Sequence, residues 1–133
     1  MVYNSIRDSS AQQTISVQST FARRNTKLNA AVRLMRETLE TPMRTAELAS
    51  EVGVSRRQLE RLFTNHLGHP PHTYYRKLRM DRAQRLLLQT DMSVLEVALS
   101  CGYGSTNHFA QHYRRASGVT PSKQRFRISG LNN

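Results

Sequence analysis

Acidic residues are the first shortage in this chain. Nine Asp and Glu stand against 20 Lys and Arg, which leaves a net charge of +11 and a pI near 11. An imbalance of that size points to a polyanionic partner, either nucleic acid or an anionic membrane surface. The membrane loses on a second shortage. No apolar run approaches the roughly 20 residues of a spanning helix, and the N-terminal stretch "MVYNSIRDSSAQQTISVQST" has no hydrophobic signal core. Cysteine occurs once, at Cys101, so no internal disulfide can form and a reducing, cytoplasmic setting fits. Tryptophan is absent and aromatics make up 7%, too few for single-strand stacking platforms. No segment alternates convincingly as a strand does, and no glycine-rich phosphate loop occurs.

What remains is helical. Residues 1–26 are rich in Ser, Gln, Thr and Asn without a sustained apolar period, and read as a flexible tail or linker. Order is expected from Lys27, where Leu28, Ala31, Val32, Met35 and Leu39 mark one helical face that ends near Pro42. Beyond it lies an internal repeat. Ala49 recurs at Ala98 and Gly53 at Gly102, both 49 positions on. Leu59 then matches Phe109, Phe63 matches Tyr113, Gly68 matches Gly118 and Pro71 matches Pro121, all 50 positions on. The slip of one residue falls at Tyr103-Gly104.

Each copy reads as a helix-turn-helix. Ser93-x-x-Glu96 is a capping box, Val94, Val97 and Ala98 face inward, and Gly102 suits the left-handed turn position. Ser105 is expected to cap the next helix, and small Ala98 lets the two helices cross closely. The first copy repeats the scheme through Leu48, Ala49, Val52, Gly53 and the box Ser55-x-x-Gln58. Arg44 stands where Ser93 would predict a cap, so Thr45 is expected to serve one residue late. At 100° per residue the second helix of the first copy buries Leu59, Leu62 and Phe63 and turns Arg57, Glu60, Arg61 and Thr64 outward. Its counterpart buries Phe109 and Tyr113 beside His112, and turns Asn107, Ala110, Gln111 and Arg114 outward. Arginine pairs with guanine edges, and Asn or Gln with adenine edges, in the major groove. Between the copies a helix from Thr73 to Thr90, about 27 Å long, can hold the two reading helices about one DNA turn apart. It carries Arg76, Lys77, Arg79, Arg82 and Arg85, some of them available for phosphate; for Arg85 a solvated face is the simpler reading.

The stretches "ELASEVGVSRRQLERLF" and "YYRKLRMDRAQRLLLQTDMSVLEVALSCGYGSTNHFAQHYRRASGVTPS", at this spacing, closely resemble the DNA-binding domain of the AraC/XylS family of bacterial transcription regulators. The resemblance covers Leu28 to about Phe126. It is strongest to the branch that carries an amidotransferase-like sensing domain; no such domain lies within these residues, so no effector site is carried over. The resemblance implies an all-α fold of two helix-turn-helix subdomains joined by a long linker helix. The expected division is 27–90 for the first subdomain with its linker helix, 91–128 for the second, and a C-terminal tail over 129–133. It also implies sequence-specific binding to double-stranded DNA, base contacts from Arg57, Arg61, Asn107 and Gln111, RNA polymerase as a further partner, and a place at the bacterial nucleoid. Glu60, at a reading position, either bonds a cytosine amine or orients Arg57. Phosphate contacts are expected from Ser55, Arg56, Arg79, Ser105, Arg114, Arg115, Lys123 and Arg125. With both reading helices on one chain, a monomer is expected, dimerisation in the family usually coming from the sensing domain.

Other chemistries fare poorly. His66, His69 and His72 straddle Pro70-Pro71 and do not share ligand geometry, while Cys101 matches core Val52, so neither they nor His108 and His112 make a metal set. Asp81 and Asp91 lack a histidine or nucleophile partner, so no catalysis and no cofactor are expected. A protein-interaction module and a nonspecific nucleic-acid binder are the remaining alternatives, separable by comparing random duplex, selected duplex and RNA at two salt concentrations.

Overall fold

The computed structural model describes residues 15–125, with side chains from residue 25 onward. Among the described residues every regular element is helical. In chain order these are α1 (Ile15–Glu37), α2 (Thr45–Val52), α3 (Arg56–Leu67), α4 (Pro71–Gln89), α5 (Val94–Ser100) and α6 (Thr106–Ser117). A seventh helix, α7, is described over 121–125.

The first helix starts earlier than its apolar period predicts. Helical backbone begins at Ile15 rather than Lys27, which corrects the extent of the tail over 15–26. The reason is the direction of the signal: apolar periodicity marks where a helix packs, and a helix already nucleated by packing propagates through polar residues that contain no breaker. Residues 1–14 and 126–133, including the tail expected over 129–133, lie outside the described residues.

The repeat is structural. Val54 N–H donates to the Ala49 carbonyl at 3.0 Å and Tyr103 N–H to the Ala98 carbonyl at 2.9 Å, so the same closing bond ends α2 and α5. Gly53 and Gly102 hold φ of 80° and 86° there, in the left-handed region. From each glycine the chain reaches the next cap, Ser55 or Ser105, and the second turn is longer by Gly104. That is the one-residue slip. Two capping boxes form as the sequence predicts. Ser55 Oγ accepts the Gln58 N–H at 3.0 Å, and Ser93 Oγ accepts the Glu96 N–H at 3.0 Å. Two caps differ. Thr45 opens α2 instead of capping it: Arg44 is the cap residue, its N–H donating to Glu47 Oε1 at 2.8 Å, so only the carboxylate half of a capping box forms and no side chain takes the serine's part. Ser105 occupies its cap position but accepts no cap bond through its side chain.

Two cores form, and α4 belongs to both. Leu28, Ala31, Met35, Leu48, Ala49, Leu59 and Phe63 gather with Tyr75 and Leu78 from the N-terminal half of α4. Val97, Ala98, Cys101, Phe109 and Tyr113 gather with Met80, Ala83 and Leu87 from its C-terminal half. A fully buried residue such as Phe63 or Phe109 contributes about 2–3 kcal/mol by burial, so each small core depends on its share of α4. The cores are also joined directly. A Cβ at Gly102 would lie 2.6 Å from the Leu39 carbonyl oxygen and 2.7 Å from a Pro42 ring carbon, so the second helix-turn-helix seats its turn on the α1–α2 connection. That connection is anchored by the buried Tyr75, whose hydroxyl accepts from Met43 N–H at 2.9 Å and donates to the Thr38 carbonyl at 3.2 Å.

Candidate nucleic-acid interface

The reading edges emerge from the packing just described. With Leu59 and Phe63 buried, α3 leaves Arg57 and Arg61 exposed; with Phe109 and Tyr113 buried, α6 leaves Asn107 and Gln111 exposed. Among the described residues none of the four takes part in a side-chain hydrogen bond or ion pair, so their donors and acceptors are presented outward. Glu60 behaves otherwise. It is half-buried and pairs through Oε2 with Arg56 Nε at 3.3 Å, one helical turn back, rather than orienting Arg57. The pair fixes Arg56 at the rim of α3 and lowers its net charge.

The cations divide into free and committed. Arg114 and Arg115 are exposed in the last turn of α6, where positive charge also complements the helix dipole. Lys123 is exposed on α7, its N–H bonded to Thr120 Oγ1 at 3.2 Å. Arg79 and Arg125, expected on phosphate, are committed elsewhere. Arg79 donates from Nε to the Cys101 carbonyl at 2.7 Å and from Nη2 to the Gly102 carbonyl at 3.0 Å, and its guanidinium lies 4.1 Å over the Tyr103 ring. Arg125 donates to the carbonyls of Leu87 at 3.3 Å, Thr90 at 3.1 Å and Leu86 at 3.4 Å, and also to that of Met92. The physical reason is the same in both. The carbonyls of the turns that follow α5 and α4 (Cys101 and Gly102 after one, Thr90 and Met92 after the other) lie past the helical bonding pattern, and a guanidinium fork satisfies several at once. A signal for Arg125 was present: α4 ends with no glycine cap and no basic residue in its last turn, so its carbonyls require a donor from elsewhere. Both serines are exposed, but Ser55 is engaged at its N–H and its hydroxyl oxygen as a cap, whereas the Ser105 side chain accepts no cap bond.

Sequence reasoning missed the group that steadies α6. Tyr103 is buried against Phe109 with ring centroids 5.5 Å apart, and its hydroxyl lies 2.6 Å from His112 Nδ1. Burial pushes the Tyr103 hydroxyl up, with Arg79 opposing. Burial, and then Arg76 and Arg115, pull the His112 imidazole below its ordinary value. A protonated phenol beside a neutral imidazole is the arrangement that makes this hydrogen bond. Cys101 is fully buried, its thiol pushed up to about 11 by desolvation, as befits the core role its match to Val52 implies. Among the described residues no three or more His, Cys, Asp or Glu side chains are placed to hold a metal ion. No described helix is long and apolar enough to cross a membrane.

A family model described as a helix-turn-helix domain matches residues 48–127, more than half of the chain. The chain belongs to the AraC-type helix-turn-helix family. Among solved structures, an AraC-type transcriptional regulator from Chromobacterium violaceum superposes with a TM-score of 0.74 at 45% identity, covering 80% of this chain and 96% of that one. The DNA-binding domain of AdpA, solved in complex with a target DNA, superposes with a TM-score of 0.74 at 33% identity, covering 78% and 94%. Among curated relatives, the HTH-type transcriptional regulator ArgR of Pseudomonas aeruginosa is 42% identical over 94% of this chain and 38% of its own length. GbdR of the same species is 44% identical over 93% of this chain and 34% of its own. The chain thus spans little more than a third of these AraC-type relatives.

Proposed function

We propose that this chain binds double-stranded DNA by sequence, α3 and α6 each entering one of two adjacent major-groove segments, and that it serves the regulation of transcription. The observation that carries the reading is the equivalence of the two edges. Arg57 and Arg61 on one helix, and Asn107 and Gln111 on the other, project without internal partners from helices that follow the same turn. α4, 19 residues and about 28 Å long, sets a separation near one DNA turn. Arg114, Arg115, Ser105 and Lys123 flank the edges as phosphate donors. The AdpA DNA-binding domain, solved in complex with a target DNA, supports the reading. The same proposal has the chain acting as a monomer at the nucleoid, with RNA polymerase as the protein partner of the regulator.

The test begins with selection of a preferred duplex from a random library. Asn107→Ala or Gln111→Ala should then weaken the selected site by about 1–3 kcal/mol and relax preference at one or two base pairs, while random duplex binds nearly as before. Equal weakening of both duplexes would show that α6 does not read bases. Sedimentation of the free chain should give a monomer.

A further inference from the structure

A cleft of about 340 Å³ lies where one face of α4 meets the flank of α6. Its floor is Met80 and Ala116, and its walls carry Arg76, Lys77 and Arg115 with His112 and a single carboxylate, Asp81. Asp81 is already engaged, 3.7 Å from Lys77 Nζ. Arg76 and Arg115 have no ion-pair partner among the described residues, and after burial they are the next causes that disfavour the charged form of His112. Two guanidiniums and a half-buried imidazole therefore share a concave site that the protein leaves electrically uncompensated.

The position of the cleft indicates what fills it. Around α6 the reading edge runs through Asn107 and Gln111, and Arg115, His108 and His112 lie on the adjoining flank, turned about 80°, 100° and 140° from Asn107. When a helix enters a major groove edge-first, its flanks face the groove walls, and those walls are phosphate. The flank in question is the one against α4, on the side of the linker that connects the two reading helices. We propose that this cleft receives one backbone phosphate of the bound DNA, held by Arg76 and Arg115 and approached by His112, on the strand running between the two groove segments. The proposal rests on the DNA-binding reading above and adds a site to it. Tyr103 contributes by holding His112 at Nδ1, 2.6 Å from its hydroxyl, and Nε2 has no protein partner among the described residues. The charged and titratable groups facing that ring are Arg76 and Arg79 from α4, Tyr103 from the turn, and His108 and Arg115 from α6. A phosphate added to this set supplies its missing negative charge and draws a proton to His112.

The experiment scans a selected duplex with single neutral methylphosphonates. One position between the two groove segments should weaken the wild-type chain and leave the Arg76→Gln, Arg115→Gln double variant unaffected. Each single variant should lower the salt slope by about one unit, so that affinity falls roughly 3.5-fold less between 50 and 200 mM salt than it does for wild type. Asp81→Asn, which removes no cation, should tighten binding; unchanged or weaker binding would count against the site. The His112 ring protons should titrate at higher pH in the complex than in the free chain. A flat methylphosphonate scan in that segment overturns the proposal. So does saturation of the His112 shift by millimolar inorganic phosphate with no effect of the backbone substitution, which would assign the cleft to a free anion. If the wild-type chain binds no duplex at all, the DNA reading itself fails; if it binds with full salt dependence in the double variant, only this site does.

Discussion

At Gly102 two demands coincide at one residue. Its φ of 86° lies where a side chain costs about 1–2 kcal/mol, and a Cβ would press into the Leu39 carbonyl at 2.6 Å and two Pro42 ring carbons at 2.7 and 2.8 Å. Two other glycines separate these effects. Gly68 shares the backbone strain, with φ of 78°, but nothing lies within 4 Å of its added Cβ. Gly104 has neither restriction. Alanine at Gly104 should therefore alter stability by less than about 0.5 kcal/mol, at Gly68 by about 1 kcal/mol, and at Gly102 by more than about 2 kcal/mol. Chemical denaturation of the three variants checks the order. Gly102→Ala no more costly than Gly68→Ala would remove the close approach to the α1–α2 connection from the account.

Helix ends decide the next scale. Ser55 and Ser93 accept the N–H of the third helical residue, and Ser105 does not, although all three are cap residues and Ser105 is the repeat equivalent of Ser55. Ser55→Ala and Ser93→Ala should each cost about 1 kcal/mol, and Ser105→Ala close to nothing in folding while it weakens DNA through a lost phosphate donor. Thermal melts and a binding titration on the same three proteins separate the two roles. At the other end of an element, Arg125 closes the C-terminus of α4 through the carbonyls of Leu86, Leu87, Thr90 and Met92. Arg125→Gln should lower the melting temperature and leave the salt slope of DNA binding unchanged. Lys123→Ala, on the same helix but exposed, should do the reverse and lower the slope by about one unit. A lowered slope in the Arg125 variant with unchanged stability would return that arginine to phosphate.

For the molecule as a whole, α4 is the shared wall of two cores, and the Gly102 turn seats one subdomain on the other. Neither core is complete without its half of the helix, so unfolding should be one transition, seen alike by probes on α3 and on α6. Two separated transitions would mean that α4 frays at its centre, near Arg79, and holds the reading helices less firmly than its length suggests. Stability should also depend on pH through His112. Its folded value lies below the ordinary 6.5, through burial first and then Arg76 and Arg115, so below 6.5 the unfolded chain binds more protons than the folded one. Stability is therefore full above 6.5 and is lost as the pH falls through the folded value. Denaturation midpoints between pH 8 and pH 5 should fall for wild type and flatten for His112→Gln.

The sequence by itself determined the elements, the repeat and the faces. Those features depend on local spacing: Leu59 with Phe63 and Phe109 with Tyr113 lie one turn apart and so must point together, and a glycine before a capping serine closes a turn whatever lies around it. The outward residues Arg57, Arg61, Asn107 and Gln111 follow by subtraction. Which cations are free was decided only by the tertiary structure. Arg76 and Arg79 stand three residues apart on one helix with the same chemistry, yet Arg79 is spent on the carbonyls of Cys101 and Gly102 while Arg76 borders the cleft beside α6. Arg125 reaches carbonyls more than 30 residues away in the chain. A flexible side chain with five donors binds whatever acceptors the fold brings within its reach, and that neighbourhood is set by how α4, α5 and α7 pack, not by the residues beside it in the sequence.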